Sequence, residues 1–134
     1  MTLAMNRRVA SSDGVESGLL ACIELCRRGA RACLACADVC LGSDHVAELN
    51  ACIRFSLEAA DRCFEVAALS PRRADSDPYV LDRLLENCAG ACERAAAECR
   101  RHAMRYPVCR AGAEACEECS AACRVTMTGV AAAL

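Results

Sequence analysis

The sequence predicts an all-α protein, an antiparallel up-down four-helix bundle with a cysteine-lined core. Three observations carry that expectation. Ala, Leu, Glu and Arg dominate the chain, and these residues favour helix. Proline and glycine fall mostly at plausible helix boundaries. Within each expected helix, successive cysteines are separated by 3, 4, 7 or 11 residues, spacings that return a side chain to one helix face.

The elements follow in order. Residues 1–12 read as a polar arm, with room for a short extra helix. Asp13 and Glu16 form a D-x-x-E capping box that starts the first helix, expected over Val15–Leu41 and ended by Gly42. Ser43 or Asp44 caps the second helix, which runs to Leu69 before Ser70-Pro71. The stretch SPRRADSD at 70–77 is a loop. Asp77 caps the third helix, with Pro78 at its first position, and the helix ends near Met104 or Arg105. Pro107 opens the fourth, which continues to Thr128 before Gly129. The bundle thus occupies residues 13–129, and 130–134 form a small apolar tail. Four helices of this length joined by short connections pack antiparallel. The 134 residues suffice for one domain with its own core, and no second domain is expected.

The bulk composition excludes several functions. Fourteen cysteines in 134 residues is a frequency typical of secreted disulfide scaffolds. No export signal is expected, however. The first apolar run, Gly18–Ala21, gives way to Cys22, Ile23 and Glu24, and Arg7-Arg8 is followed by the polar VASSDGVES. The expected location is therefore the cytosol, where thiols stay reduced. No segment is long and apolar enough to span a membrane. The formal net charge of −2 gives no nucleic-acid signature, and all sixteen basic residues are arginines scattered among acids. Phe55, Phe64, Tyr79 and Tyr106 are the only aromatics, so something else must fill the core.

The cysteines supply it. The first helix carries Cys22, Cys26, Cys33, Cys36 and Cys40, and the second Cys52 and Cys63. The third carries Cys88, Cys92 and Cys99, and the fourth Cys109, Cys116, Cys119 and Cys123. Each set is one stripe at positions that normally hold core Leu and Val. Depth is counted from the end where helix one meets two and three meets four. Cys40 and Cys109 come first, then Cys36 and Cys99, then Cys33, Cys52 and Cys116. Cys92 and Cys119 follow, then Cys26, Cys88 and Cys123, and last Cys22 and Cys63. Layers three or four residues apart lie about 5 Å apart, which makes a continuous sulfur column.

Cysteine as a small hydrophobe explains any one of these positions. Fourteen on matching faces would pack less well than Leu and Ile. Disulfides between helical i, i+4 neighbours meet poor Cβ directions, and the expected compartment opposes cross-helix ones. Thiolate is soft and selects Cu(I), zinc or iron–sulfur clusters. Zinc sites close in sets of four, usually on loops. The C-x2-C-x3-C runs at 33/36/40 and 116/119/123 resemble part of an iron–sulfur motif, but they sit mid-helix without the preceding cysteine. A tetrathiolate zinc carries a net charge of about −2, whereas one Cu(I) per thiolate is neutral, and buried net charge is costly. Many Cu(I) ions per chain therefore fit the column best. An iron–sulfur or zinc thiolate protein with a redox role, and a metal-free helical scaffold, remain as alternatives.

The stretches CRRGARACLACADVC, CAGACERAAAECRRHAMRYPVC and CEECSAACR resemble the bacterial copper storage proteins, over residues 15–128. The resemblance implies a homotetramer of bundles that stores or detoxifies Cu(I), in its cytosolic branch. The chain departs from the family pattern at Gly112, where another cysteine is expected, and in a helix two that has only two cysteines.

His45, His102 and Met104 fall near the Cys40/Cys109 end, and imidazole and thioether both bind copper. They are candidate uptake ligands. Each also has an ordinary explanation as a surface residue near a helix end. Met127 reads as packing, and Glu24, Glu117 and Glu118 as surface charge. No catalytic constellation stands out, so no enzyme is expected. A nucleophilic cysteine needs one electropositive, partly exposed niche, unlike fourteen buried thiols.

Overall fold

The structure is a computed structural model that describes residues 3–69 and 77–130, with side chains from Ser17 onward. Residues 70–76 of the expected loop and the end of the apolar tail lie outside the described residues. Four helices and no strand occur among the described residues: α1 (Leu3–Leu41), α2 (Asn50–Ala67), α3 (Pro78–His102) and α4 (Pro107–Thr126). Each packs on its two chain neighbours and α4 closes the ring on α1, as in an up-down bundle.

Local chemistry sets the ends. Asp77 caps α3 as expected: its Oδ1 accepts from the Tyr79 and Val80 N–H groups at 3.1 and 3.3 Å, and Pro78 follows at a position that needs no N–H partner. Pro107 opens α4, and the preceding Tyr106 carbonyl accepts from Cys109 N–H at 3.0 Å.

Several helix boundaries differ from the expectation. Helix α1 begins at Leu3 and passes through Asp13 and Gly14, so the D-x-x-E box does not start it. Extending an existing helix costs less than nucleating a new one, and Leu3–Ala10 contains good helix formers. Helix α2 begins at Asn50, not at Ser43 or Asp44. Ser43 does act as a cap, but of a turn: its Oγ accepts from His45 N–H at 3.0 Å. Such local bonds compete with helix, and the chain winds in turns until the buried Leu49. At the other end α3 stops at His102 and α4 at Thr126, each slightly earlier than expected.

Beyond α4 the chain is tied down by Asp82, which is buried on α3. Its Oδ1 accepts from Thr128 N–H at 2.6 Å. Its Oδ2 accepts from Thr128 Oγ1 at 2.8 Å and Gly129 N–H at 3.1 Å. Gly129 has φ +78°, where a glycine is favoured. Burial would raise the Asp82 carboxyl, but the bonds from Thr128, Gly129 and Val130 outweigh it and hold it below its usual value. Asp82→Ala is expected to destabilise the apo-protein by about 1–3 kcal/mol, since the freed donors lose a charged acceptor. A depressed native pKa means that this stabilisation is present above the unfolded value of about 3.9 and is lost as pH falls through the native value. Urea unfolding of parent and variant across pH 2–7 checks both statements. The difference between them should shrink toward the acid end.

The core is thiols and alanines. All fourteen cysteines are fully buried, beside Ala30, Ala59, Ala60, Ala89, Ala95 and Ala113. Small side chains let helices approach closely and leave the centre to sulfur. Phe64 and Tyr79 remain about half exposed. Arginines bridge neighbouring helices on the surface, as in Arg94–Glu58, Arg100–Glu117 and Arg124 with Glu86 and Glu93. Exposed pairs of this kind contribute about 0–1 kcal/mol each.

Candidate metal centre

The four stripes meet on the bundle axis. At the end where α1 leads to α2, Cys40 and Cys36 reach Cys109 at 3.8 and 3.7 Å. Cys36 also lies 3.8 Å from Cys52 and 3.9 Å from Cys99, and Cys52 and Cys99 are 3.6 Å apart. Deeper in, Cys33 and Cys116 meet at 3.2 Å. Then Cys63 lies 3.5 Å from Cys92, 3.7 Å from Cys119 and 3.8 Å from Cys88. Cys26 reaches Cys119 at 3.3 Å, Cys123 at 3.8 Å and Cys88 at 3.9 Å, and Cys22 ends the series against Cys123 at 3.6 Å.

The layering follows the expectation on α1, α3 and α4 and corrects it on α2. Cys52 sits with Cys36, Cys99 and Cys109, not with Cys33 and Cys116. Cys63 sits mid-column, not beside Cys22 at the far end. One cause explains both shifts. Helix α2 begins six residues after Asp44, so each sulfur lies about 9 Å nearer the first end than an earlier start would put it. The far end is closed by apolar groups instead: Leu19, Val66, Leu81 and Leu85, with the partly buried Met127, join the cluster that holds Cys22.

Three quartets of sulfurs lie within 4.8 Å of one another: Cys36/Cys40/Cys52/Cys109, Cys63/Cys88/Cys92/Cys119 and Cys26/Cys88/Cys119/Cys123. Cys88 and Cys119 belong to two of them, so those sites are not separate. Shared sulfurs suit bridging thiolates and adjacent ions better than isolated tetrahedral sites. The buried polar residues among those described are Ser56, Asp82 and Ser120, so no buried cation offsets thiolate charge. The apo thiols pack through sulfur–sulfur hydrogen bonds. Bonds from Cys123, Cys26 and Cys63 hold the Cys119 thiol down, while those partners are pushed up. At the first end, burial is the main cause that pushes Cys40 and Cys109 up.

The three other candidate ligands separate. His102 is largely buried at the C-terminus of α3, with its side chain 19% exposed. Its Nε2 is buried without a hydrogen-bond partner, and the nearest Glu98 carboxylate oxygen is 3.6 Å away. His45 is exposed, and its Nε2 lies 2.9 Å from the Arg105 guanidinium. Met104 is 94% exposed and stands away from the sulfurs. Helix α3 ends at His102, so Met104 lies in the following turn and leaves the cysteine face.

Two positions that hold no cysteine line the column beside Cys99. Ser56 is fully buried, with Oγ 3.7 Å from the Cys99 sulfur. It stands four residues after Cys52 and seven before Cys63, on the cysteine face. That spacing was visible in the sequence, and the residue type hid it. Gly112 is the second. A Cβ there would lie 3.5 Å from Cys36 Cβ and 3.6 Å from Cys99 Sγ, in ordinary contact.

The copper storage protein family matches residues 15–128. A cytosolic copper storage protein from Streptomyces lividans, in a structure with five coppers, is 40% identical. It covers 88% of this chain and 98% of its own, with a TM-score of 0.83. The S. lividans protein loaded with ten copper equivalents is 41% identical over 85% of this chain and 86% of its own, with a TM-score of 0.80. No curated protein matches. The match along most of the chain, on a bundle whose stripes converge on one sulfur column, makes this chain a member of the copper storage protein family.

Proposed function

We propose that the chain stores Cu(I) in the cytosol, holding many ions through its core thiolates, so that free copper stays low and copper can later be supplied. One observation carries this reading: fourteen fully buried thiols ranged along one axis, with two of their quartets sharing members and, among the described residues, no buried cation to balance them. One Cu(I) per thiolate keeps that interior neutral. The S. lividans relatives, one of them described as cytosolic, support both the cargo and the compartment. The test is anaerobic titration of the reduced protein with Cu(I) against a competing chelator, followed by ultraviolet charge-transfer absorption. Binding on the order of one ion per thiol is expected, and saturation at one or two ions sinks the reading.

A thiol binds Cu(I) as the thiolate, so each one that is neutral in the apo-protein, such as Cys40 and Cys109, which burial pushes up, must lose its proton on loading. Loading is therefore expected to release on the order of one proton per Cu(I). Apparent affinity should rise with pH through the neutral range. Titration in weakly buffered solution with a pH indicator measures the release directly.

His102 is the proposed uptake ligand, supported by its unpartnered, buried Nε2 at the Cys40/Cys109 end. Pairing of two α-helical faces into a homotetramer is also proposed. Its support is the family and the exposed apolar residues Leu34, Leu41 and Leu57 on neighbouring α1 and α2, which line one shallow groove. Sedimentation at micromolar concentration should give four chains; a monomer overturns it.

A further inference from the structure

The thiol column is not uniform along its length. The buried apolar core falls into two clusters, and they divide the cysteines. One holds Cys36, Cys40, Cys52, Cys99 and Cys109. The other holds the remaining nine, from Cys33 and Cys116 to Cys22 and Cys123. Sulfur–sulfur hydrogen bonds respect the division. The five are joined among themselves by six such bonds. Seven of the nine are joined by such bonds, and the Cys33–Cys116 pair, 3.2 Å apart, packs with them in the same apolar cluster. Among the described residues, no sulfur–sulfur hydrogen bond joins the five to the nine.

Two residues of this chain stand at the seam. Ser56 on α2 and Gly112 on α4 occupy stripe positions and both lie against Cys99. A hydroxyl is a hard donor and a glycine offers none, so the seam lacks the soft ligand that would hand Cu(I) from one thiolate to the next. We propose that the column is two Cu(I) stores in series: an outer five-thiol store at the His102 end and an inner nine-thiol store behind a seam at Ser56 and Gly112. Copper in the outer store exchanges quickly, and copper in the inner store exchanges slowly because it must cross the seam. The proposal rests on the Cu(I)-storage reading and adds an order of release to it.

The test is release kinetics. Full-length protein is loaded to saturation without oxygen and then mixed with excess of a tight Cu(I) chelator. Two phases are expected, with fast and slow amplitudes in a ratio of about five to nine, from neutral filling of the two thiol sets. Ser56→Cys places a thiol at the seam on the existing stripe, and it should shorten the slow phase several-fold. Ser56→Ala removes the hydroxyl without adding sulfur, and its slow phase should stay as in the parent. If Ser56→Cys fails to fold by circular dichroism, Gly112→Cys is read in its place, since its Cβ meets only ordinary contacts. A single release phase in the parent overturns the proposal. So does a folded seam-cysteine variant that gains capacity without speeding the slow phase. Neither result touches the storage reading, which falls only if the total bound is one or two ions.

Discussion

Cys88→Ala/Cys119→Ala protein is expected to bind more than two fewer Cu(I) per chain than the parent. These two sulfurs belong to both inner quartets. Cys119 alone contacts Cys26, Cys63 and Cys88 within 4.0 Å. A bridging thiolate serves more than one ion, so its removal strips ligands from every site it shares. Cys40→Ala is the comparison, because Cys40 belongs to a single quartet at the first end. It should lose on the order of one ion, as neutral filling requires. Stability separates from capacity in these variants. Each alanine leaves a cavity of roughly methyl size, which costs about 1 kcal/mol in the apo-protein. The apo double variant should therefore remain helical with a modestly lowered midpoint. Copper counted by native mass spectrometry, beside circular dichroism on the same samples, checks both expectations. An equal loss per cysteine at all three positions would mean that the sulfurs act as independent sites.

His102→Ala is expected to slow Cu(I) transfer from a chelator on the order of tenfold, the scale at which supporting groups act at metal sites, with final capacity nearly unchanged. The two ends of the column differ chemically. At the far end Leu19, Leu81 and Leu85 pack in the cluster that holds Cys22, with Met127 partly buried against it and no imidazole beside it among the described residues. At the near end a buried imidazole nitrogen without a partner lies at the terminus of α3, one turn beyond Cys99. His45→Ala provides the control. Its Nε2 is held by Arg105 on the exposed side, so its loss should leave the rate close to that of the parent. Stopped-flow transfer with capacity measured afterwards distinguishes the cases. A His102→Ala protein that loads at the parent rate would place uptake elsewhere.

The stripes were legible in the sequence because helical spacing alone decides which face a cysteine takes. The gaps of 3, 4 and 7 on α1, α3 and α4 leave no other common face. Asp77-Pro78 and Pro107 were legible because each has one well-defined mechanical role. Depth on α2 was not, since it depends on where the helix starts. Ser43 caps a turn with the same side-chain chemistry that caps a helix, and only the packing of Leu49 into the core distinguishes the two. That ambiguity displaced Cys52 and Cys63 together. The Asp82 anchor was invisible for another reason: its partners, Thr128 and Gly129, lie 46 and 47 residues away in sequence. Ser56 sat on the stripe at cysteine spacing, and its lining role emerges once Cys99 is seen beside its hydroxyl.

As a Cu(I) store, a single chain holds many ions in one neutral thiolate column. Native mass spectrometry of the reduced protein, loaded with excess Cu(I) and freed of loosely bound metal by a weak chelator, tests it most directly. A loaded species carrying on the order of one copper per thiol is expected, with a matching number of protons lost. A species that holds one or two metal ions per chain, or that keeps zinc in four-thiolate sites when Cu(I) is offered in excess, would contradict it.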